Sequence, residues 1–244
     1  MSKNAGSRKI QNPTEKSNGF LWALLALLVV VVAVVAYVVV QGKAHQANKY
    51  ADYDKESVSF TGSVTDSAIV LKADNAKKDA KKIDFYEDFS CPHCADLGEV
   101  TDGPMKKAIE NGDIVVNLRI LNFLDRDGGD GNSTKAGAAA LAVAQSGNWE
   151  TYWNYRALLM KEQKNIYGKW GDNDFADVAK SLGASDEVTQ KIREGGAKED
   201  FRKFAEANSK KLEKDGGSVS SPRVFIDGKE VKNGIETWVE QATS

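Results

Sequence analysis

Residues 20–40, FLWALLALLVVVVAVVAYVVV, run for 21 positions without a charge, a glycine or a proline. In a helix, at about 1.5 Å per residue, such a stretch spans the roughly 30 Å hydrocarbon core of a bilayer. A cleaved signal sequence usually carries only about 7–15 apolar residues, so the length points to a retained anchor. Trp22 and Tyr37 stand near its two ends, where amphipathic rings favour the headgroup layer. The run divides the chain. Residues 1–19 are polar, with Gly6, Pro13 and Gly19, and are expected to form a disordered cytoplasmic tail. Residues 20–40 form the anchor, residues 41–56 a polar stalk, and residues 57–244 the folded part. Lys3, Arg8, Lys9 and Lys16 precede the anchor, against Lys43, Lys49 and Lys55 in the stalk. That bias mildly favours an N-terminus inside and a folded part outside.

The folded part has the composition of an ordinary globular domain, since the chain is 41% apolar and 28% charged. A net charge of -2 provides no basic field, which removes nucleic acid from the candidate partners. Short strands are expected over 57–60 and 68–71, joined by a charged connector over 72–82 to a strand over 83–89. There Ile83, Phe85, Glu87 and Phe89 share one face and Asp84, Tyr86 and Asp88 the other, the pattern of an inner strand. A helix is expected to start at Pro92 and run to about Glu99. It should break near Gly103-Pro104, restart from an Asp102 cap and end at Asn111-Gly112. Residues 114–123 read as the next strand, which completes a βαβ unit. Residues 133–214 carry helical signals, over 136–144, 149–160, 174–182 and 186–212. After Gly216-Gly217 come a strand over 223–226, a turn at Asp227-Gly228 and a closing amphipathic helix over 235–242.

Cys91 and Cys94 are the only cysteines in the chain, and they sit where the 83–89 strand meets its helix. Three chemistries could use them. A structural zinc site needs about four ligands. Cys91, His93 and Cys94 are three, too close in sequence to converge on one ion. A purely structural disulfide would close a very small loop and so stabilise the fold weakly. A redox couple fits the position better. At a helix start, unpaired backbone N–H groups and the positive end of the dipole stabilise a Cys91 thiolate. His93, between the sulfurs, can add a positive charge or a hydrogen bond. Each unit of thiol pKa lost stabilises the reduced form by about 1.4 kcal/mol, roughly 30 mV of oxidising power.

The Cys-Pro-His-Cys motif after a strand, the helical insertion over 133–214 and the later stretch SVSSPRVFIDG together resemble one family. It is the DsbA-like thiol–disulfide oxidoreductases of the thioredoxin superfamily, in their membrane-anchored actinobacterial form. The resemblance covers about residues 57–244. It implies an α/β thioredoxin fold with an all-helical insertion, preceded here by one N-terminal transmembrane helix. It also implies that Cys91 is the exposed attacking sulfur and Cys94 the buried resolving one, with Pro92 and His93 tuning the couple. Pro222 matches the family's cis-proline, whose loop faces the sulfurs and leaves the backbone at Ser221 free to pair with substrate. Ser221 stands where the family more often has valine or threonine, which bears on substrate preference. Asp88 matches an acidic position common in the family, and Glu87 is a second candidate supporting acid.

On this resemblance the chain is an enzyme whose only redox group is the Cys91–Cys94 disulfide, with no metal and no other cofactor. Its partners would be unfolded secreted proteins with free thiols and a quinone-linked membrane reoxidase of the DsbB or VKOR kind. It would act as a monomer, and residues 41–56 are too short to be the dimerisation domain that an isomerase of this fold usually carries. It would be single-pass in the cell membrane with its catalytic domain extracytoplasmic, since an oxidising couple is kept reduced in the cytoplasm. Two alternatives stay open: an anchored reductase or isomerase of the same fold, and a peptide-binding chaperone with incidental cysteines.

Overall fold

The structure is a computed structural model that describes residues 19–50, 52–126 and 129–244, without the side chains of residue 19 and residues 38–49. The tail expected over 1–19 lies outside the described residues, apart from Gly19. Helix α1, Gly19–Lys49, contains Phe20–Tyr37, a stretch of mean hydropathy 2.9 that is long and apolar enough to cross a membrane. Residues Lys43–Ser244 form a compact unit of their own.

That unit is built on a six-stranded sheet. Its strands are β1 Thr61–Val64, β2 Ile69–Lys72, β3 Lys81–Asp88, β4 Ile114–Leu121, β5 Arg223–Ile226 and β6 Lys229–Glu230. Their spatial order is β1-β2-β4-β3-β5-β6, with β3 and β4 parallel and every other pair antiparallel. The parallel pair needs a crossover, and α2, Pro92–Glu110, supplies it. β3 is therefore an inner strand, with Phe85 set between Leu118 and Val224. Alternation along β3 sends Ile83, Phe85 and Glu87 to one layer and Tyr86 and Asp88 to the other. On the first layer Phe85 meets Trp238 of α9, Trp238–Thr243, at 6.0 Å between ring centroids. On the second, Tyr86 and Leu121 pack with Leu212 and Phe225.

Between β4 and β5 lies the helical insertion. It comprises α3 Asn132–Gln145, α4 Trp149–Lys161, α5 Gln163–Ile166, α6 Asp172–Leu182, α7 Asp186–Arg193 and α8 Lys198–Gly216. The stretch expected to be helical over 186–212 is interrupted at Gly195, whose φ of +68 a side chain would disfavour. Asn148 caps α4 by accepting the Thr151 N–H, and Ser185 caps α7 by accepting that of Val188.

Three further expectations differ from the structure. Residues 57–60 join no ladder. Phe60 is buried, and the Ser59 N–H donates to Glu110 Oε1 at 3.0 Å, tying the segment to the end of α2 instead. Helix α2 does not break at Gly103-Pro104 or restart at Asp102. It buries Cys94, Leu97, Gly98, Thr101, Met105, Ala108 and Ile109 at helical spacing. Burying Leu97, Met105 and Ile109, at about 1.5–3 kcal/mol each, outweighs the roughly 3 kcal/mol of an interior proline. The carbonyl that Pro104 leaves without a donor belongs to Val100, which is exposed. Finally, the stalk over 41–56 is not solvated throughout. Tyr50 is buried against Trp170 at 5.8 Å between centroids, and its hydroxyl donates to Glu162 Oε2 at 3.0 Å. Glu56 exchanges two backbone hydrogen bonds with the Asn154 side chain, both 2.8 Å.

Candidate active site

The end of β3 delivers Cys91 to the N-terminus of α2, where it is the cap residue with extended backbone (φ -87, ψ 112) and makes no side-chain capping bond. Its carbonyl accepts the first helical N–H groups, from Cys94 at 3.0 Å and Ala95 at 3.3 Å. Pro92 occupies the first helical turn, where its missing N–H costs nothing. One turn on, Cys94 lies beneath Cys91. Both are free thiols, and Cys91 exposes only 5% of its surface against 1% for Cys94. Cys91 is thus less exposed than the family resemblance implies. The flanking Pro92 and His93 are the exposed members of the motif.

Across from Cys91 lies the loop before β5. The Cys91 thiol donates to the Ser221 carbonyl at 3.4 Å, and the Ser221–Pro222 peptide bond is cis. The structure therefore brings together two motifs 130 residues apart. The Ser221 hydroxyl is also buried here. It completes no hydrogen bond, yet it lies close enough to the sulfurs to favour their charged forms.

The two thiols are driven apart. Cys91 is lowered to about 6. The Cys94 thiol, which hydrogen-bonds its sulfur, contributes most. Ser221 and the backbone N–H groups of Cys94 and His93 add to this, against burial. Cys94 is pushed well above the ordinary thiol range, first by burial and then by its neighbour Cys91. His93 contributes its backbone rather than its ring. The imidazole projects from the helix into solvent, with Nδ1 3.9 Å from Asp96 Oδ2.

Glu87 and Asp88, the two candidate acids, are both fully buried below the motif. Glu87 faces Arg156 of α4, whose Nε and Nη2 donate to it at 2.7 and 2.5 Å. Arg156 also donates from Nη1 to Asp102 at 2.9 Å, and it packs over the rings of Phe85 and Trp153. Burial pushes the Glu87 carboxyl up and the guanidinium pulls it back, with burial the larger effect. Asp88 Oδ1 accepts from the Ser133 hydroxyl at 2.6 Å and the Ser90 N–H at 2.8 Å, and Oδ2 from the Leu124 N–H at 3.3 Å. Burial raises Asp88 to about 7, more than these donors lower it.

The insertion also grips the loop that precedes Cys91. At the start of α3, Ser133 Oγ lies 2.8 Å from Ser90 Oγ, and the Asn132 amide donates to the same Ser90 oxygen at 3.1 Å. From α5, the buried Gln163 amide donates to the carbonyls of Phe89 at 2.8 Å and Cys91 at 3.1 Å. Arg156, Ser133 and Gln163 are the residues that sequence reasoning did not single out. They reach the site from 45 to 74 residues away, and nothing local marks them.

A low thiol at a helix start, a buried high thiol one turn below and a facing backbone carbonyl suit thiol–disulfide exchange. Comparison with known proteins agrees. Residues 76–241 match the family model described as Thioredoxin. Among solved structures, the chain is similar to the MdbA thiol-disulfide oxidoreductase from Corynebacterium diphtheriae. The two are 97% identical with a TM-score of 0.80, over 80% of this chain and 100% of that one. The MdbA protein of Corynebacterium matruchotii is 51% identical with a TM-score of 0.78, over 81% of this chain and 98% of that one. DsbA from Mycobacterium tuberculosis shares the fold at 18% identity, with a TM-score of 0.56 over 72% of this chain and 98% of its own. No curated protein matches. The chain belongs to the thioredoxin family, as an MdbA-type, DsbA-like thiol–disulfide oxidoreductase.

Proposed function

We propose that the chain oxidises cysteine pairs of unfolded secreted proteins from the outer side of a membrane, held there by residues 20–40. The observation that carries this reading is the split between the sulfurs, with Cys91 lowered to about 6 and Cys94 raised. Stabilising a thiolate stabilises the dithiol form, so the disulfide becomes a stronger acceptor of electrons.

A substrate thiolate attacks Sγ of Cys91, the Cys91–Cys94 bond breaks, and Cys94 leaves with the electron pair and takes up a proton. A second substrate thiolate then attacks the substrate sulfur of the mixed disulfide and expels Cys91 as a stabilised thiolate. The substrate gains a disulfide, and the enzyme holds the two electrons until a membrane partner, quinone-linked, removes them. The pair of sulfurs is the whole redox apparatus, and no further cofactor takes part. The backbone around Ser221 and Pro222 would pair with the substrate chain beside Cys91. The enzyme acts as a monomer.

The test mixes the oxidised full-length chain, in detergent, with a reduced unfolded protein carrying one cysteine pair. Substrate disulfides should form one for one with loss of the Cys91–Cys94 bond. Neither Cys91→Ala nor Cys94→Ala, which cannot form that bond, should oxidise the substrate. Substrate thiols left untouched, with the reduced enzyme instead cleaving substrate disulfides, would make the chain a reductase. Protease added to intact cells should digest the domain, and full protection would refute the location.

A further inference from the structure

The geometry points to Gln163 as a positioning residue for the exchange reaction: from the insertion, it holds the peptide of Cys91 in the orientation that stabilises the attacking sulfur. Its Nε2 is the donor to two carbonyls at once, Phe89 at 2.8 Å and Cys91 at 3.1 Å, on either side of Ser90. Gln163 is itself buried, so both bonds lie away from solvent.

The Cys91 carbonyl already accepts from the N–H groups of Cys94 and Ala95, which open α2. An acceptor with a further side-chain donor fixes the plane of the peptide that follows. That plane decides where the next N–H groups, those of His93 and Cys94, are aimed. Both of them favour the Cys91 thiolate. Gln163 touches neither sulfur through any of these bonds. It acts through the backbone that carries Cys91.

Gln163 also sits at a junction. Its neighbour Glu162 accepts the Tyr50 hydroxyl, and Tyr50 belongs to the segment between the apolar helix and the sheet. The start of α5, with Glu162 as its cap and Gln163 as its first residue, thus ties the segment that holds Tyr50 to the active-site loop. This inference rests on thiol–disulfide exchange at Cys91 and not on the direction of electron flow in the cell.

The test uses Gln163→Met, which keeps the length and loses both donors, and Gln163→Glu, which keeps the shape and loses them too. Each is made in the full-length chain. Three quantities are read: the thiolate midpoint of Cys91 by ultraviolet absorbance, the equilibrium with glutathione, and the unfolding of oxidised and reduced forms. The midpoint should rise by about one pH unit in both variants, a tenfold change that the two-electron relation converts to about 30 mV less oxidising. The reduced form should then lose more stability than the oxidised form. Equal losses in both forms with an unmoved midpoint would make Gln163 a structural residue only and overturn the proposal. If Gln163→Met does not fold, Gln163→Glu decides by the same readings. A parent midpoint of 8 or above would instead refute the account of Cys91, and so separates the two failures.

Discussion

Glu87 and Asp88 are consecutive on β3, equally buried and close to the same pair of sulfurs, yet they are held in different ways. Glu87 turns to the layer of α2 and α4 and meets Arg156 in a two-bond ion pair, with Asp102 sharing the same guanidinium. Asp88 turns to the layer of α3 and meets a hydroxyl and two backbone N–H groups. No cation is among those partners. A paired buried charge holds its elements together, here β3, α2 and α4, because loosening any one strands an ion in a poor solvent. A carboxylate held only by neutral donors is left to titrate, and burial puts Asp88 at about 7. One side of the strand thus carries an acid clamped by a guanidinium, and the other a group that responds to pH near neutrality.

The comparison breaks most visibly at Arg156. Arg156→Met leaves Glu87 buried without a cation, and it should cost about 3–5 kcal/mol in urea unfolding of the oxidised and reduced forms alike. Pairing it with Glu87→Gln should recover much of that loss. A cost under about 1 kcal/mol would mean that the pair behaves like a surface salt bridge.

A comparable effect separates Asp88 from Cys91 by sign. The folded carboxyl of Asp88 lies above its unfolded value of about 3.9, so the native state binds the proton more tightly. Its contribution is full below pH 4 and is lost as pH rises to about 7, at about 1.4 kcal/mol per unit. Cys91 goes the other way. Its folded value of about 6 lies below the unfolded value of about 8.5, so its contribution is full above pH 8.5 and is lost as pH falls to 6. Unfolding against pH should therefore show the falling limb in both redox forms and the rising limb in the reduced form only. Asp88→Asn should flatten the first limb and leave the second. A falling limb that survives Asp88→Asn would assign the titration elsewhere.

What could be read from the sequence divides along the same lines. The strand, the cysteines and Pro92 were legible because each is a local pattern with a local cause, a strand end or a helix start, whereas the Ser221-Pro222 stretch was legible only through the family resemblance. Arg156, Ser133 and Gln163 were not, because their meaning lies in partners 45 to 74 residues away. Asp102 shows the limit most clearly. Its type and its place before Gly103-Pro104 suit a helix cap, but a buried guanidinium claims the carboxylate and the helix runs through. Gly195-Gly196 offered a local signal for the break between α7 and α8, and the helical pattern on both sides obscured it. The segment after α1 looked like a plain polar stalk because the groups seen to bind Tyr50 and Glu56 among the described residues come from the insertion.

The central claim is that the fold stabilises the Cys91 thiolate and so makes the disulfide more oxidising than an unperturbed cysteine pair would be. The direct test is the reduction potential of the Cys91–Cys94 couple in the full-length chain, measured by equilibration with glutathione mixtures at pH 7. Thioredoxin, with a thiol near 7, lies at about -270 mV, so a thiolate held near 6 predicts a value about 30 mV more oxidising, about -240 mV. A value at or below about -270 mV would contradict the account, since the same geometry would then be serving a reductant.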